Sequence, residues 1–266
     1  KYDVEIDEID VCPVQIQGPL SEDLMAKLAG EELREVPYYG ILETKVGGAD
    51  CVISQTGFTG EKGYEIYVRD AHENAEKMWN AVLEAGEEFG LMVIAPAHHR
   101  RIAAGILSWG QDLDHETSPF QVNLSYQVPR NKAADYIGKE ELEKQRAMMD
   151  EGKAPFKMKM VGLTLGGKEI TDYAPDFWLV TNTDGDEVGY VTSPWWSPEL
   201  ETNIALAWVP WEGSEVGTKY MVKLPDEYAE SPGEAVNAEV VDVPFRESVN
   251  PNKREVQAAK GLDFAD

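Results

Sequence analysis

The chain has 266 residues, of which 42% are hydrophobic, and its 24 basic and 49 acidic side chains give a formal net charge of 24 − 49 = −25. This hydrophobic content is typical of a globular protein and too high for a disordered one, and the length suggests about two domains. The negative charge argues against nucleic acids and anionic membrane surfaces as partners, because both would repel it. No apolar run approaches the ~20 residues that span a bilayer.

The two cysteines, Cys12 and Cys51, lie in apolar, strand-like segments. Two such residues favour free buried thiols over a disulfide framework or a zinc site. With no recognisable signal peptide, we expect a reducing, cytoplasmic location. The sequence starts at Lys1 inside an alternating run that indicates a strand already in progress, so we expect further sequence upstream.

Up to about residue 150 the periodicity predicts an α+β order rather than strictly alternating strands and helices. The predicted elements are, in chain order, a strand ending at Ile16, a short helix ending at Gly30, strands at 41–46, 51–54 and 64–68, a helix ending at Gly86, a helix at 98–107, a strand at 121–128 and a helix at 138–149.

A polar segment at 150–155 separates this part from a second one that is rich in short strands and turn residues. Valine-rich runs separated by Gly, Pro and Asn-Thr-Asp-Gly turns are typical of a small β-barrel. We therefore expect one domain at 1–150, a C-terminal β-barrel at 155–246 and a tail at 247–266. The strands of this barrel are predicted at 158–165, 177–181, 187–192, 203–209, 220–224 and 235–243.

Common catalytic motifs are missing from the sequence. There is no phosphate-binding loop, no Gly-x-Ser-x-Gly elbow and no His-Glu-x-x-His pair. The glycines at 57, 60 and 63 lie between two predicted strands, which favours a β connection over a dinucleotide-binding turn. His98 and His99 diverge on a predicted helix, and Asp112, Asp114 and Glu116 are interpreted as a solvated turn. We therefore predict no metal site.

Glu65 differs from the other acidic residues because it lies within a strand, between Tyr64 and Ile66. The two-residue period of a strand places Glu65 and Tyr67 on the same face. A carboxylate beside an aromatic ring suits a flat heterocycle that offers N–H groups. The simpler alternative is an exposed charge on the solvated face of a strand.

Five segments in one order then resemble the glycine-cleavage T-protein (aminomethyltransferase) family. The most specific is Thr56-Gly57-Phe58-Thr59-Gly60-Glu61-Lys62-Gly63-Tyr64-Glu65-Ile66, and the resemblance runs from about residue 9 to residue 245. The segments are 17–19, 54–66, 110–114, 135–140 and 192–198.

The resemblance implies a tetrahydrofolate-binding domain followed by a C-terminal β-barrel. In such proteins the glutamate matching Glu65 holds the amino edge of the pterin, and the residues matching Phe58 and Tyr67 lie close by. The aromatic residue matching Tyr126 also borders the folate. The implied cofactor is therefore tetrahydrofolate, with Glu65, Tyr67, Phe58 and Tyr126 as its predicted contacts.

The sequence also departs from the family pattern. Ala97 stands where the family has a folate-contacting arginine, although Arg101 fits a second family arginine. The family's catalytic aspartate belongs to an N-terminal part that has no counterpart here, so we assign no catalytic residue. The segments at 10–19 and 135–139 look closer to the dimethylsulfoniopropionate demethylase branch.

Our first expectation is therefore a folate-dependent demethylase that moves a methyl group from a small donor to folate N5 by aligning the two reactants. One alternative is the glycine-cleavage aminomethyltransferase, which implies a lipoyl carrier protein as partner. A second is a non-catalytic folate-binding accessory protein, or the C-terminal module of a dimethylglycine or sarcosine dehydrogenase.

Overall fold

The computed structural model describes residues 3–246, and these divide into two compact units between Pro96 and Ala97. The first unit contains an antiparallel sheet and two helices, and the second contains further helices and a closed β-barrel. This confirms the predicted α+β fold with a C-terminal barrel. The tail predicted at 247–266 lies outside the described residues.

The first unit is built on a four-stranded antiparallel sheet in the order β1-β4-β3-β2. The connection between β2 and β3 consists of Gly47 and Gly48, which both have positive φ angles (58° and 81°). Two such residues form the tight turn whose twist suits a hairpin. The elements are β1 (Val11–Gln17), α1 (Ser21–Ala29), β2 (Ile41–Val46), β3 (Ala49–Ser54), β4 (Gly63–Arg69) and α2 (Ala71–Gly86).

One face of this sheet packs against α1 and α2 and forms the core of the first unit. Alternate residues of β4, namely Tyr64, Ile66 and Val68, are fully buried there. The residues between them, Glu65 and Tyr67, lie on the opposite face, as the period of two predicts. The helices contribute Leu24, Met25, Met78 and Val82 to the core.

The second unit is built around a six-stranded antiparallel barrel in the order β10-β5-β8-β7-β6-β9. Its interior is lined mainly by small and branched apolar side chains. A separate cluster, which includes Ile102, Met160 and Trp208, packs α3 against the outside of the barrel. The elements are α3 (His98–Ala103), α4 (Lys139–Asp150), β5 (Met158–Leu165), β6 (Trp178–Thr181), β7 (Glu187–Ser197), β8 (Thr202–Pro210), β9 (Lys219–Lys223) and β10 (Ala235–Val241).

One predicted strand is wrong, and another is confirmed only over its second half. The opening strand begins only at Val11, and the apolar side chains of Val4, Ile6 and Ile9 before it are exposed. Residues 121–128 form turns and a 3-10 turn at Ser125–Gln127 instead of a strand. In both cases the alternation of apolar residues is present, but within residues 3–246 neither segment forms the repeated backbone hydrogen bonds with a neighbouring strand that a sheet requires.

The division by packing also differs from the predicted domain boundary near residue 150. Residues before 150 bond directly to the barrel strands of the second unit: Asn123 Nδ2 donates to Met160 O at 3.1 Å, and Trp208 Nε1 donates to Asp112 O at 3.0 Å. Such long-range contacts group this segment with the barrel. The assignment of separate domains to 1–150 and 155–246 stays a prediction.

Candidate functional site

Glu65 lies in the middle of β4, with β1 on one side and β3 on the other. In this register Glu65 is directly opposite Gln15 of β1 and Ser54 of β3. Its side chain is half-buried on the sheet face that α1 and α2 leave uncovered. Neighbouring strands therefore place polar side chains around one carboxylate, an arrangement that depends on strand pairing and is not visible in the local sequence.

Three side chains donate hydrogen bonds to the Glu65 carboxylate. Gln15 Nε2 donates to Oε1 at 3.0 Å, while Thr56 Oγ1 and, at 3.3 Å, the Tyr67 hydroxyl both donate to Oε2. Three donors from different parts of the chain restrict the orientation of the carboxylate. Glu65 is therefore a positioned acceptor rather than a freely moving surface charge.

Ser54 extends this group of hydroxyls. Its Oγ lies 2.5 Å from Thr56 Oγ1, the hydroxyl that donates to Glu65. Burial, together with the nearby Glu65 charge, raises the pKa of Tyr67. The phenol thus stays protonated at neutral pH and can donate. Sequence reasoning missed Gln15, Ser54 and Thr56, because Gln15 and Ser54 come opposite Glu65 only through the pairing of β1 and β3 with β4.

The glycine-rich connection between β3 and β4 folds around the side chain of Gln17. A Cβ on Gly57 would lie 2.2 Å from Gln17 Oε1, and one on Gly63 would lie 2.4 Å from Gln17 Cδ. Gln17 accepts a hydrogen bond from Thr59 Oγ1 at 2.9 Å and donates to Thr56 O at 3.3 Å. The glycines therefore provide space for a side chain that holds the connection, and with it Thr56, in place.

The other two predicted contacts lie elsewhere. Phe58 projects from the same glycine-rich connection with 38% of its surface exposed. Tyr126 belongs to the second unit, where it is half-buried in the 3-10 turn Ser125–Gln127 and its hydroxyl accepts a hydrogen bond from Gln127 Nε2 at 3.4 Å. The structure thus brings Glu65 and Tyr67 into direct contact, and the folate contacts assigned to all four residues stay predictions.

The interpretation of Asp112 as part of a solvated turn is wrong. Asp112 is 1% exposed and forms an ion pair with Arg101, which is 2% exposed, at 2.8 Å. Thr192 and Ser193 of β7 donate to its other oxygen at 2.6 and 2.5 Å. The ion pair and these hydrogen bonds therefore hold the segment after α3 against the barrel. Asp114 and Glu116, by contrast, are exposed.

Histidine in α3 has an aromatic neighbour: the His98 ring stacks on Trp195 with the ring centroids 5.3 Å apart. Burial, followed by the charge of Arg101, lowers the pKa of His98.

Within residues 3–246, no group of three or more His, Cys, Asp or Glu side chains is arranged to hold a metal ion. The same residues contain no helix long and apolar enough to cross a membrane.

Chemically, the Glu65 cluster is suited to a ligand that donates hydrogen bonds. A carboxylate has about four acceptor positions, and the three protein donors leave one on Oε1. Tyr67 beside it and Phe58 on the adjoining connection supply aromatic surface. These residues fit a flat heterocycle with N–H groups along one edge, which is the chemistry of a pterin.

Comparisons with known proteins agree with this architecture. The profile of the GCVT N-terminal domain matches residues 1–132, and that of the glycine cleavage T-protein C-terminal barrel domain matches residues 159–246. A solved structure, the glycine cleavage system aminomethyltransferase T from Bartonella henselae, shares the fold with a TM-score of 0.66 and 23% identity, over 90% of this chain and 60% of that one.

Curated relatives give the same assignment. An aminomethyltransferase of Geobacillus sp. (strain WCH70) is 33% identical over 248 residues, which are 91% of this chain and 63% of that protein. One from Clostridium botulinum (strain Okra / Type B1) is 35% identical over 228 residues, or 84% of this chain and 58% of that protein. The sequence thus spans 58% to 63% of the length of these relatives. The chain belongs to the glycine cleavage T-protein family.

Proposed function

We propose that this protein binds tetrahydrofolate through Glu65 and transfers a one-carbon unit to it. The observation that carries the proposal is the half-buried Glu65 carboxylate, which three side chains hold in place while one acceptor position remains open. The family membership supports tetrahydrofolate as the ligand, and the aromatic Tyr67 and Phe58 suit its flat pterin.

In this proposal Glu65 accepts N–H groups from the amino edge of the pterin, and Gln15 and Thr56 hold the carboxylate in its orientation. When bound, tetrahydrofolate supplies the N5 amine that takes up the carbon unit. The contribution of the protein is to hold that amine in line with the donor and to exclude water, which is catalysis by proximity. We assign no catalytic residue.

The donor proposed first is an aminomethyl group on a lipoyl-bearing carrier protein, because the curated relatives are named aminomethyltransferases. Demethylation, our first expectation from the sequence, becomes the second candidate. Two observations favour it: Ala97 replaces the family's folate-contacting arginine, and the segments at 10–19 and 135–139 look closer to the demethylase branch.

Binding is tested by calorimetric titration of the full chain with tetrahydrofolate. Hydrogen bonds to a charged group contribute about 1.5–3 kcal/mol each, so we expect Glu65→Ala to weaken binding by about 10-fold or more. Glu43→Ala is the matched control, since Glu43 lies on the same sheet, is exposed and pairs with Arg69. Equal affinity of Glu65→Ala and the unaltered protein would contradict the assignment.

Single-turnover transfer then separates the candidate donors. The folate-loaded protein is mixed with an aminomethyl-loaded lipoyl carrier protein or with dimethylsulfoniopropionate, and the folate product is identified by mass. Methylene transfer from the carrier supports aminomethyl transfer, and a methylated folate supports demethylation. Binding without transfer from either donor supports the alternative of a non-catalytic folate-binding protein and overturns the enzymatic proposal.

A further inference from the structure

The side chain of Gln15 pairs with the Glu65 oxygen that has an open acceptor position. Gln15 Nε2 donates to Glu65 Oε1 at 3.0 Å, and this oxygen accepts no other hydrogen bond from residues 3–246, whereas Thr56 and Tyr67 both donate to Oε2. Each carboxylate oxygen has about two acceptor positions. A ligand that donates an N–H group to the open position on Oε1 therefore comes to lie beside the Gln15 amide.

The chemistry of this contact determines which end of the Gln15 amide remains for a ligand. Both oxygens of the Glu65 carboxylate are acceptors, so only the NH2 end of the amide can pair with Oε1. The carbonyl oxygen of Gln15 lies at the other end, and within the described residues no N–H or O–H group donates to it. The amide thus offers a second acceptor next to the one on Glu65.

Both acceptors are accessible from the same side of the sheet. Strand pairing places Gln15 directly opposite Glu65, and the Cβ atoms of such neighbours are about 4.5–5.5 Å apart. Gln15 is exposed and Glu65 half-buried, on the face that α1 and α2 leave uncovered. Because β1 is the last strand of the four-stranded sheet, no strand among residues 3–246 flanks Gln15 on its outer side. One flat ligand can therefore contact both side chains.

We propose that Gln15 is a specificity-determining residue whose carbonyl oxygen accepts a hydrogen bond from the ligand, so that Glu65 and Gln15 together recognise an edge with two neighbouring N–H donors. This inference rests on the proposed function, since the N3–H and 2-amino groups of a pterin form such an edge. The ring N3–H is the more acidic donor and pairs with the carboxylate, while the 2-amino group pairs with Gln15. Thr56 and Tyr67 keep their hydrogen bonds to Glu65.

Calorimetric titration of Gln15→Met with two ligands tests the inference. Methionine has a similar length and no amide. We expect the affinity for tetrahydrofolate to fall about tenfold, because the variant loses the acceptor for the 2-amino group and the donor that orients Glu65. For an analogue that lacks the 2-amino group only the second loss applies, and we expect a decrease of about twofold.

Lys45→Met is the matched control for this substitution. Lys45 is exposed on the same sheet face, at the end of β2 that is far from Glu65, and the variant should bind both ligands as the unaltered protein does. A Gln15 that only orients Glu65 would make Gln15→Met lose the same factor for both ligands. A Gln15 that competes with the ligand for Oε1 would make this variant bind tetrahydrofolate more tightly. Either result would overturn the inference while leaving folate binding in place.

The Gln15 carbonyl can also be observed directly by nuclear magnetic resonance. In the protein labelled with carbon-13 at glutamine Cδ, the signal that is missing from Gln15→Met belongs to Gln15. We expect this signal to move to higher frequency when tetrahydrofolate is added, as a new hydrogen bond to the carbonyl requires, and clearly less with the analogue. An unchanged signal in the folate complex would overturn the inference. No tetrahydrofolate binding by the unaltered, folded protein would overturn the proposed function as well.

Discussion

At the scale of single residues, the carboxylates of Asp112 and Glu65 differ in how many of their acceptor positions the protein fills. Asp112 is fully buried, and its two oxygens accept four hydrogen bonds, from Arg101, the Ser108 backbone N–H, Thr192 and Ser193. Every acceptor position is therefore filled by the protein. Glu65 is half-buried and keeps one position open. Burial and saturation identify Asp112 as structural, while the open position makes Glu65 the candidate for ligand binding.

Asp112→Asn is expected to destabilise the second unit strongly. The new amide group would direct N–H donors at groups that are themselves donors, and Arg101 would lose its counter-charge in a buried position. Breaking a buried ion pair in this way costs about 3–5 kcal/mol. Urea unfolding followed by tryptophan fluorescence measures the effect, because six of the seven tryptophans lie after residue 96. Asp114→Asn, at an exposed position of the same turn, is the control and should cost less than about 1 kcal/mol.

At the scale of elements, the sheet of the first unit has two different faces. One face is covered by α1 and α2, and the other presents the Glu65 cluster. The glycine-rich connection between β3 and β4 supports this cluster from one end, because Gln17 fills the space above Gly57 and Gly63 and holds Thr56 and Thr59. Gly57 and Gly63 thus leave the space that the Gln17 side chain occupies.

Gly57→Ala should therefore destabilise the first unit by about 1–3 kcal/mol, as overpacking does. The added methyl group would lie 2.2 Å from Gln17 Oε1, so the Gln17 side chain would have to give up its hydrogen bonds to the connection. Denaturation followed by far-UV circular dichroism gives the stability change. In a Gln17→Ala background the clash is absent, and the same substitution should cost clearly less. Equal costs in the two backgrounds would show that Gln17 is not the cause.

At the scale of the whole molecule, the net charge of −25 is the dominant electrostatic feature. Most of its ion pairs are exposed, as in Lys45–Asp50 and Arg69–Glu43, and such pairs contribute about 0–1 kcal/mol each. Repulsion among the excess carboxylates acts over a Debye length of about 10 Å at 0.1 M salt and about 3 Å at 1 M. Added salt should therefore weaken the repulsion among the excess carboxylates by more than it weakens the attraction within the ion pairs.

Raising sodium chloride from about 0.05 M to about 1 M is accordingly expected to increase the thermal unfolding midpoint by several degrees. Differential scanning fluorimetry measures the shift. A variant with Glu73, Glu76 and Glu84 of α2 replaced by Gln removes three exposed negative charges and should show a smaller shift. A midpoint that falls with added salt would mean that the exposed ion pairs outweigh the net repulsion.

Local pattern was sufficient for much of this molecule. The alternation in β4 indicated the shared face of Glu65 and Tyr67, and the valine-rich short strands with their turn residues indicated the barrel. Residue period and turn chemistry are properties of neighbouring residues, which is why they can be recognised in the sequence. The same approach failed at residues 3–10 and 121–128, where apolar alternation occurs without a partner strand. A strand is stabilised by its neighbours, and the local sequence does not say whether they are present.

Contacts between residues that are far apart in the sequence could be identified only from the tertiary structure. Ser54 and Gln15 reach Glu65 only because β3 and β1 flank β4 in a particular register. Asp112 is buried because β7 brings Thr192 and Ser193 to it across 80 and 81 residues of sequence. An acidic residue in a polar segment has the same local pattern whether it is solvated, buried or available to a ligand. Long-range packing distinguishes these cases, since it determines which donors reach each carboxylate and how many of its acceptor positions they fill.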